Sequence, residues 1–148
     1  MKMAAVDLDL IGKLKEAGLR ITPQRVAIYD LLTHTKKHPT AQMIYETIKP
    51  KYPHLSLMTV YNTLNKLVEV GVVTDIGRIG DGFAHFDADT SAHINLACTS
   101  CKEIVDIETE VSGILGAEVE GRSGYHIKGS RLLYFGVCPD CQNSLNQA

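Results

Sequence analysis

The stretch SLMTVYNTLNKLVEVG, residues 56–71, decides how the front of this chain folds. Ser56 offers a side-chain oxygen to cap a helix, and Gly71 provides a stop. At 3.6 residues per turn, Leu57, Val60, Leu64, Leu67 and Val68 fall within a stripe about 100° wide, which predicts one buried face. The opposite face carries Thr59, Asn62, Asn65 and Lys66, with Tyr61 on its flank and a single acid, Glu69, near the far end. Such a face suits the major groove of DNA, where Asn pairs with adenine and an aromatic edge meets a thymine methyl. It equally suits plain solvent, so the helix alone leaves both readings open.

The flanking segments add context. Upstream, a helix is predicted over 7–17 through Leu10, Ile11 and Leu14, with Gly18 where it stops. Thr22-Pro23 reads as an N-cap followed by first-turn proline, opening a helix through Val26, Tyr29 and Leu32 to about Thr33. Thr40 caps a third segment with Met43, Ile44 and Ile48, closed by Pro50. Downstream, 72–76 reads as a strand, Gly80-Asp81-Gly82 as a tight turn and 83–86 as the returning strand. Three helices, a recognition-type helix and a two-stranded ribbon make a winged helix-turn-helix, with Arg78 near the ribbon tip. This order favours DNA as the partner.

The chain has 148 residues, 45% of them hydrophobic, no Trp and a net charge of −2. No apolar run approaches the ~18 residues that span a bilayer. Asp7 and Asp9 stand where a signal peptide needs an apolar core, so a cytoplasmic protein without a membrane partner is expected. The charge is uneven: residues 1–84 hold 11 basic against 8 acidic side chains, whereas 85–148 hold 4 against 9. A mildly basic front and an acidic back fit a winged-helix DNA-binding domain over 1–84 and an α/β dimerisation and metal-binding domain over 85–148. With few aromatics, neither half builds a large core, so metal or oligomerisation is expected to supplement it.

All four cysteines lie in two matching pairs, Cys98-Thr-Ser-Cys101 and Cys138-Pro-Asp-Cys141. Two C-x-x-C knuckles suit tetrahedral structural zinc, because each short loop sets two thiolates on one side of the ion. The 36 residues between the pairs imply intervening secondary structure. Strands are predicted over 94–98, 103–107, 125–128 and 132–137, with a helix capped by Thr109 and carrying Val111, Ile114, Leu115 and Val119. The alternatives are a redox dithiol and buried free thiols. Cys138-Pro139-Asp140-Cys141 resembles a dithiol motif but opens no recognisable helix after a strand.

Six stretches, GLRITPQR (18–25), HPTAQMIY (38–45), SLMTVYNTL (56–64), HFD (85–87), CTSCKEIVD (98–106) and YFGVCPDC (134–141), resemble the ferric uptake regulator family in order and over about residues 8–141. Asp106, where other branches carry Glu, is similar to the peroxide-responsive branch. The resemblance implies a regulatory Fe2+ or Mn2+ site at the joint of the two domains, with ligands His38, Asp87, His93, Asn95 and Asp106. Two imidazoles and two carboxylates suit such ions and leave a position for water. An ion held from both sides favours one arrangement of the domains, and the reading heads of a homodimer then match a palindromic operator.

Asn95 departs from the family, which usually has His there. An amide oxygen is a weaker ligand than imidazole, so lower affinity and a shift toward Mn2+ are expected. In peroxide-responsive relatives a histidine ligand is oxidised; the matching positions are His38 and His93. A third metal site of some relatives is absent, with Ala92, Ile94 and Ser130 at its ligand positions. His85, Asp89 and His126 then read as surface or hydrogen-bonded groups, and His34 and His54 as structural or exposed. For double-stranded DNA, the resemblance puts Tyr61 and Asn62 at base-reading positions, with Asn65 beside them, and sends Arg20 to the minor groove. Lys66 and Arg78 are phosphate contacts. Relatives often carry a longer basic residue at the Asn62 position.

These features imply a metal-dependent, peroxide- or metal-responsive repressor. The alternatives are a zinc- or manganese-supply sensor, or a repressor with a weakened regulatory site. A zinc or dithiol enzyme is the reading from another class. It fits less well, because four thiolates close a zinc shell and no nucleophile–base pair or small-molecule substrate site stands out.

Overall fold

The computed structural model describes residues 8–146. Asp7, with the first position of the predicted 7–17 helix, lies outside the described residues. The elements run α1 (Leu8–Glu16), α2 (Pro23–Thr33), α3 (Ala41–Ile48), α4 (Leu57–Glu69), β1 (Thr74–Arg78), β2 (Ala84–Asp87), β3 (His93–Cys98), β4 (Ile104–Glu108), α5 (Val111–Ser123), β5 (Leu133–Gly136) and α6 (Pro139–Asn146). The fold is α+β, with four helices and the β1-β2 ribbon forming a winged helix-turn-helix ahead of a small α/β unit. No helix among the described residues is long and apolar enough to cross a membrane.

The chain forms two compact units. The first runs up to Asp75 and includes Phe86–Thr90; the second comprises Ile76–His85 and the chain from Ser91 onward. A single division after residue 84 is what the sequence suggests. The ribbon is divided differently because Ile76 and Ile79 are buried with Ala97 and Ile104 in the core of the second unit, against which Leu133 packs.

In the first unit, each helix start is set by a side chain. Thr22 Oγ1 accepts from Arg25 N, Thr40 Oγ1 from Met43 N at 3.2 Å, and Ser56 Oγ from Thr59 N at 3.1 Å. Gly18 and Gly71 follow α1 and α4 in left-handed conformation, φ 69° and 80°, which a side chain would strain. Leu14, Ile28, Ile44, Val60, Leu64 and Leu67 are fully buried and form the unit's core. Thr63 is equally buried, its hydroxyl satisfied by donation to Thr59 O at 2.7 Å. Ser56→Ala is expected to lower stability by about 1 kcal/mol. A shift of the urea midpoint at constant slope would measure it, and an unmoved midpoint would rule the cap out as a contributor.

In the second unit, the sheet order is β4-β3-β5, antiparallel between β3 and β4 and parallel between β3 and β5. The parallel pair sets Cys98 opposite Gly136, which brings two distant chain segments together. α5 buries only Ser112, leaving Val111, Ile114, Leu115 and Val119 exposed as one apolar stripe. Leu96, Val105, Ile107, Tyr134 and Phe135 of the sheet are exposed as well.

Three local expectations differ from the structure. Residues 125–128 form no strand, because the amides of Tyr125 and Ile127 donate to Ser123 Oγ and Glu120 Oε1 and leave no ladder to build. Thr109 is not the cap of α5; its hydroxyl accepts from Val111 N only two residues on, and Glu110 holds the cap position. Cys138-Pro139-Asp140-Cys141 does open a helix after a strand. α6 starts at Pro139, with Asp140 in its first turn.

Candidate metal centres and nucleic-acid interface

The first knuckle begins where β3 ends. Cys98 N donates to Glu103 O at 2.9 Å and Lys102 N returns to Cys98 O at 3.0 Å, with Lys102 left-handed at φ 65°. The second joins β5 to α6. Thr99 N bonds Gly136 O at 2.8 Å, locking the knuckles side by side. All four sulfurs then lie within 4.8 Å of one another, and Cys101 Sγ is 3.9 Å from Cys138 Sγ. A zinc ion with four bonds of about 2.3 Å sets its sulfurs about 3.8 Å apart, so the tetrad fits a tetrahedral Zn2+.

The backbone is also arranged for thiolates. Cys138 N donates to Cys98 Sγ at 3.3 Å and Cys141 N to Cys138 Sγ at 3.4 Å. The Cys138 amide, helped by that of Cys101, brings the Cys98 thiol down to about 6. Its hydrogen bond with the Cys138 thiol, followed by burial, pushes Cys141 up to about 12. Without metal, ionisation is therefore favoured at Cys98 and opposed at Cys141.

A second set of donors is built without cysteine. In the first unit, His38 Nε2 lies 3.4 Å from Asp87 Oδ2, and both side chains are buried. His38 is left-handed, φ 50°, immediately before Pro39. Proline disfavours the helical region for its neighbour, and a positive φ costs a non-glycine residue still more. The neighbourhood holds it: Pro39 O accepts from Phe86 N at 3.0 Å, while Thr40 caps α3. Asp87 Oδ1 in turn accepts from Asp89 N at 2.8 Å.

In the second unit, His93 and Asn95 stand two residues apart on β3, hence on one face. Asn95 pairs in register with Asp106 on β4. His93 Nδ1 donates to Ser91 O at 2.8 Å, leaving the Nε2 lone pair 3.8 Å from Asp106 Oδ1. That second bond fixes the tautomer a metal needs. Asn95 Oδ1 is buried without a hydrogen-bond partner among the described residues. A stranded acceptor of this kind costs about 1–3 kcal/mol unless something electropositive meets it. The donor chemistry of both groups fits a divalent cation.

Three further histidines have other partners. His85 Nε2 lies 2.7 Å from Asp81 Oδ2 at the ribbon turn. Burial opposes the charge on Asp81, yet that contact and the Phe83 amide keep its carboxyl below the usual range. His126 is largely exposed, 3.7 Å from Glu120. His34 Nδ1 meets Asp30 O at 2.9 Å on the surface.

The polar face expected of α4 is exposed. Tyr61, Asn62, Asn65 and Lys66 are exposed, opposite the buried Val60, Thr63, Leu64 and Leu67. Thr59 is drawn into the cap, its hydroxyl 2.9 Å from Ser56 Oγ. Lys66 Nζ is bonded to Glu69 Oε2 at 2.9 Å. Arg20 is exposed, and its carbonyl is held by Arg25 Nη1 at 2.9 Å, a positioning contact that sequence reasoning missed. Arg78 is exposed at the end of β1.

Comparison with known proteins matches residues 16–135 to the ferric uptake regulator family. The chain is 34% identical over 135 residues to the peroxide-responsive repressor PerR of Staphylococcus aureus, spanning 91% of this chain and 90% of that one. Its fold is similar to the Helicobacter pylori ferric uptake regulator Fur, described as having three functional metal binding sites (TM-score 0.73, 20% identity, 96% and 95% of the two chains). It is also similar to PerR from Streptococcus pyogenes, studied for peroxide sensing and gene regulation (TM-score 0.51, 33% identity, 90% and 91% of the chains).

Proposed function

This chain belongs to the ferric uptake regulator family, and from that premise we propose that it is a cytoplasmic, metal-dependent transcriptional repressor that binds palindromic operators as a homodimer. The observation that carries the reading is the second donor set. His38 with Asp87, and His93 with Asn95 and Asp106, are buried or half-buried oxygen and nitrogen donors separate from the thiol tetrad.

Each module has its part. The tetrad holds structural Zn2+ and consumes all four thiols, so it keeps no open position for catalysis. His38 with Asp87, and His93 with Asn95 and Asp106, would hold Fe2+ or Mn2+, an ion that would supply positive charge and, as iron, reactivity toward peroxide. Asp87 and Asp106 bring the negative charge that a divalent ion needs. The Ser91 carbonyl keeps His93 turned with Nε2 toward the site. The apolar stripe of α5 and the exposed sheet residues support pairing of two copies through the second unit. Tyr61, Asn62 and Asn65 of α4 enter the major groove, with Arg20 in the minor groove and Arg78 and Lys66 on phosphates.

Peroxide responsiveness is supported by the resemblance to PerR over nine-tenths of the chain. A second reading, sensing of manganese or zinc supply, is favoured by Asn95, whose oxygen replaces an imidazole. One experiment separates them: operator binding by the zinc-loaded protein with Fe2+ or Mn2+ added, before and after peroxide. Peroxide sensing requires the iron form alone to lose DNA and gain the mass of one oxygen atom on peptides holding His38 or His93. Retained binding without that mass, in both forms, favours supply sensing. DNA binding indifferent to either metal overturns the metal-dependent reading.

A further inference from the structure

Resting on the DNA-binding reading above, the geometry points to Met58 as a further specificity-determining residue, one that recognises thymine through its C5 methyl group. α4 buries Val60, Thr63, Leu64 and Leu67, and at about 100° per residue the opposite side holds Met58, Asn62, Asn65 and Glu69, with Tyr61 and Lys66 on its two flanks. Met58 stands in the first turn, just beyond the Ser56 cap, and is 66% exposed. The N-terminal residues of a recognition helix are those that reach base edges. Tyr61, 39% exposed, is the only other large apolar side chain in this stripe.

The composition of the stripe decides what it can read. Before its last turn it carries no Arg or Lys, the groups that take the O6 and N7 acceptors of guanine, and no carboxylate to accept from cytosine; Lys66 and Glu69 stand in the last turn, bonded to each other. Two asparagines can each take N6 and N7 of adenine. Across the pair from adenine, the major groove presents the thymine methyl, the one apolar group on any base edge. An unbranched thioether can follow that methyl without a fixed rotamer. Met58 and the asparagines therefore recognise opposite members of the same base pair.

Deoxyuridine lacks the C5 methyl and keeps every hydrogen-bonding group of thymidine, so it isolates the contact. The test selects sites from a random duplex library with the zinc- and manganese-loaded protein. Each thymidine of the selected site is then replaced singly by deoxyuridine, and binding is measured for the native chain and Met58→Ala. At one thymidine per half-site the native chain is expected to lose about fourfold in affinity, the worth of one buried methyl group. Met58→Ala should bind the unmodified site more weakly by a similar factor and be indifferent to uracil there, while Met58→Leu regains part of the discrimination. If Met58→Ala shows the native pattern of uracil sensitivity at every position, the assignment falls with the DNA-binding reading intact. If the native chain selects no site, both fall.

Discussion

Replacing Cys138 by serine is expected to abolish zinc retention and to unfold the second unit while the helical first unit stays folded. Cys138 is the hub of the tetrad: its sulfur faces Cys101 and accepts from the Cys141 amide, and its own amide donates to Cys98. Among the described residues, the unit it serves has a small core of Ile76, Ile79, Ala97 and Ile104, with Leu133 against it. Structural zinc contributes roughly 10–16 kcal/mol in small metal-folded modules. That is as large as the whole net stability of a typical domain, about 5–15 kcal/mol. Metal analysis and thermal unfolding check the outcome. One zinc per chain and an unchanged second transition in Cys138→Ser would remove the structural role of the tetrad. Zinc binds a cysteine as its thiolate, whereas metal-free Cys141 keeps its proton up to about 12. Zinc uptake therefore expels that proton and tightens as the pH rises.

The second large effect is expected at Asn95. Asn95→His should raise affinity for Fe2+ and Zn2+ at the second donor set on the order of tenfold to a hundredfold, the scale on which changes around a metal alter its binding. Mn2+, which favours oxygen donors, should gain least. Asn95 Oδ1 is already buried and unsatisfied beside its register partner Asp106, so the new imidazole enters a place shaped for a donor. Competition against a chromophoric chelator, with the tetrad kept zinc-filled, measures all three ions. Equal affinities for the two proteins would show that residue 95 does not touch the ion.

Much of this molecule was legible in its residue order, for local reasons. Thr22, Thr40 and Ser56 announce three helices because a hydroxyl oxygen before an apolar stripe satisfies an otherwise unbonded amide, and all three do so in the structure. The cysteine pairs were equally plain, since a two-residue spacer leaves thiols little choice of geometry. What escaped was settled by longer-range partners or by polarity. α6 buries none of its residues, so it has no apolar period to detect; its trace was the proline at its start and the acid beside it. Residues 125–128 alternate like a strand, but side chains of α5 take their amides first. The left-handed backbone of His38 is invisible in the letters His-Pro and follows from the contacts on either side of it. The hold of Arg25 on the Arg20 carbonyl likewise needs the loop's path, which spacing does not specify.

The parallel pairing of β3 with β5 has a consequence for how a cell makes this protein. A ribosome delivers Cys98 and Cys101 well before Cys138 and Cys141, and the first pair alone offers two sulfurs, with β5 not yet made. Metallation therefore waits for the last stretch of translation, and a chain truncated ahead of Cys138 is born unable to complete its fold. A product truncated ahead of Leu133 also lacks β5 and cannot finish its sheet.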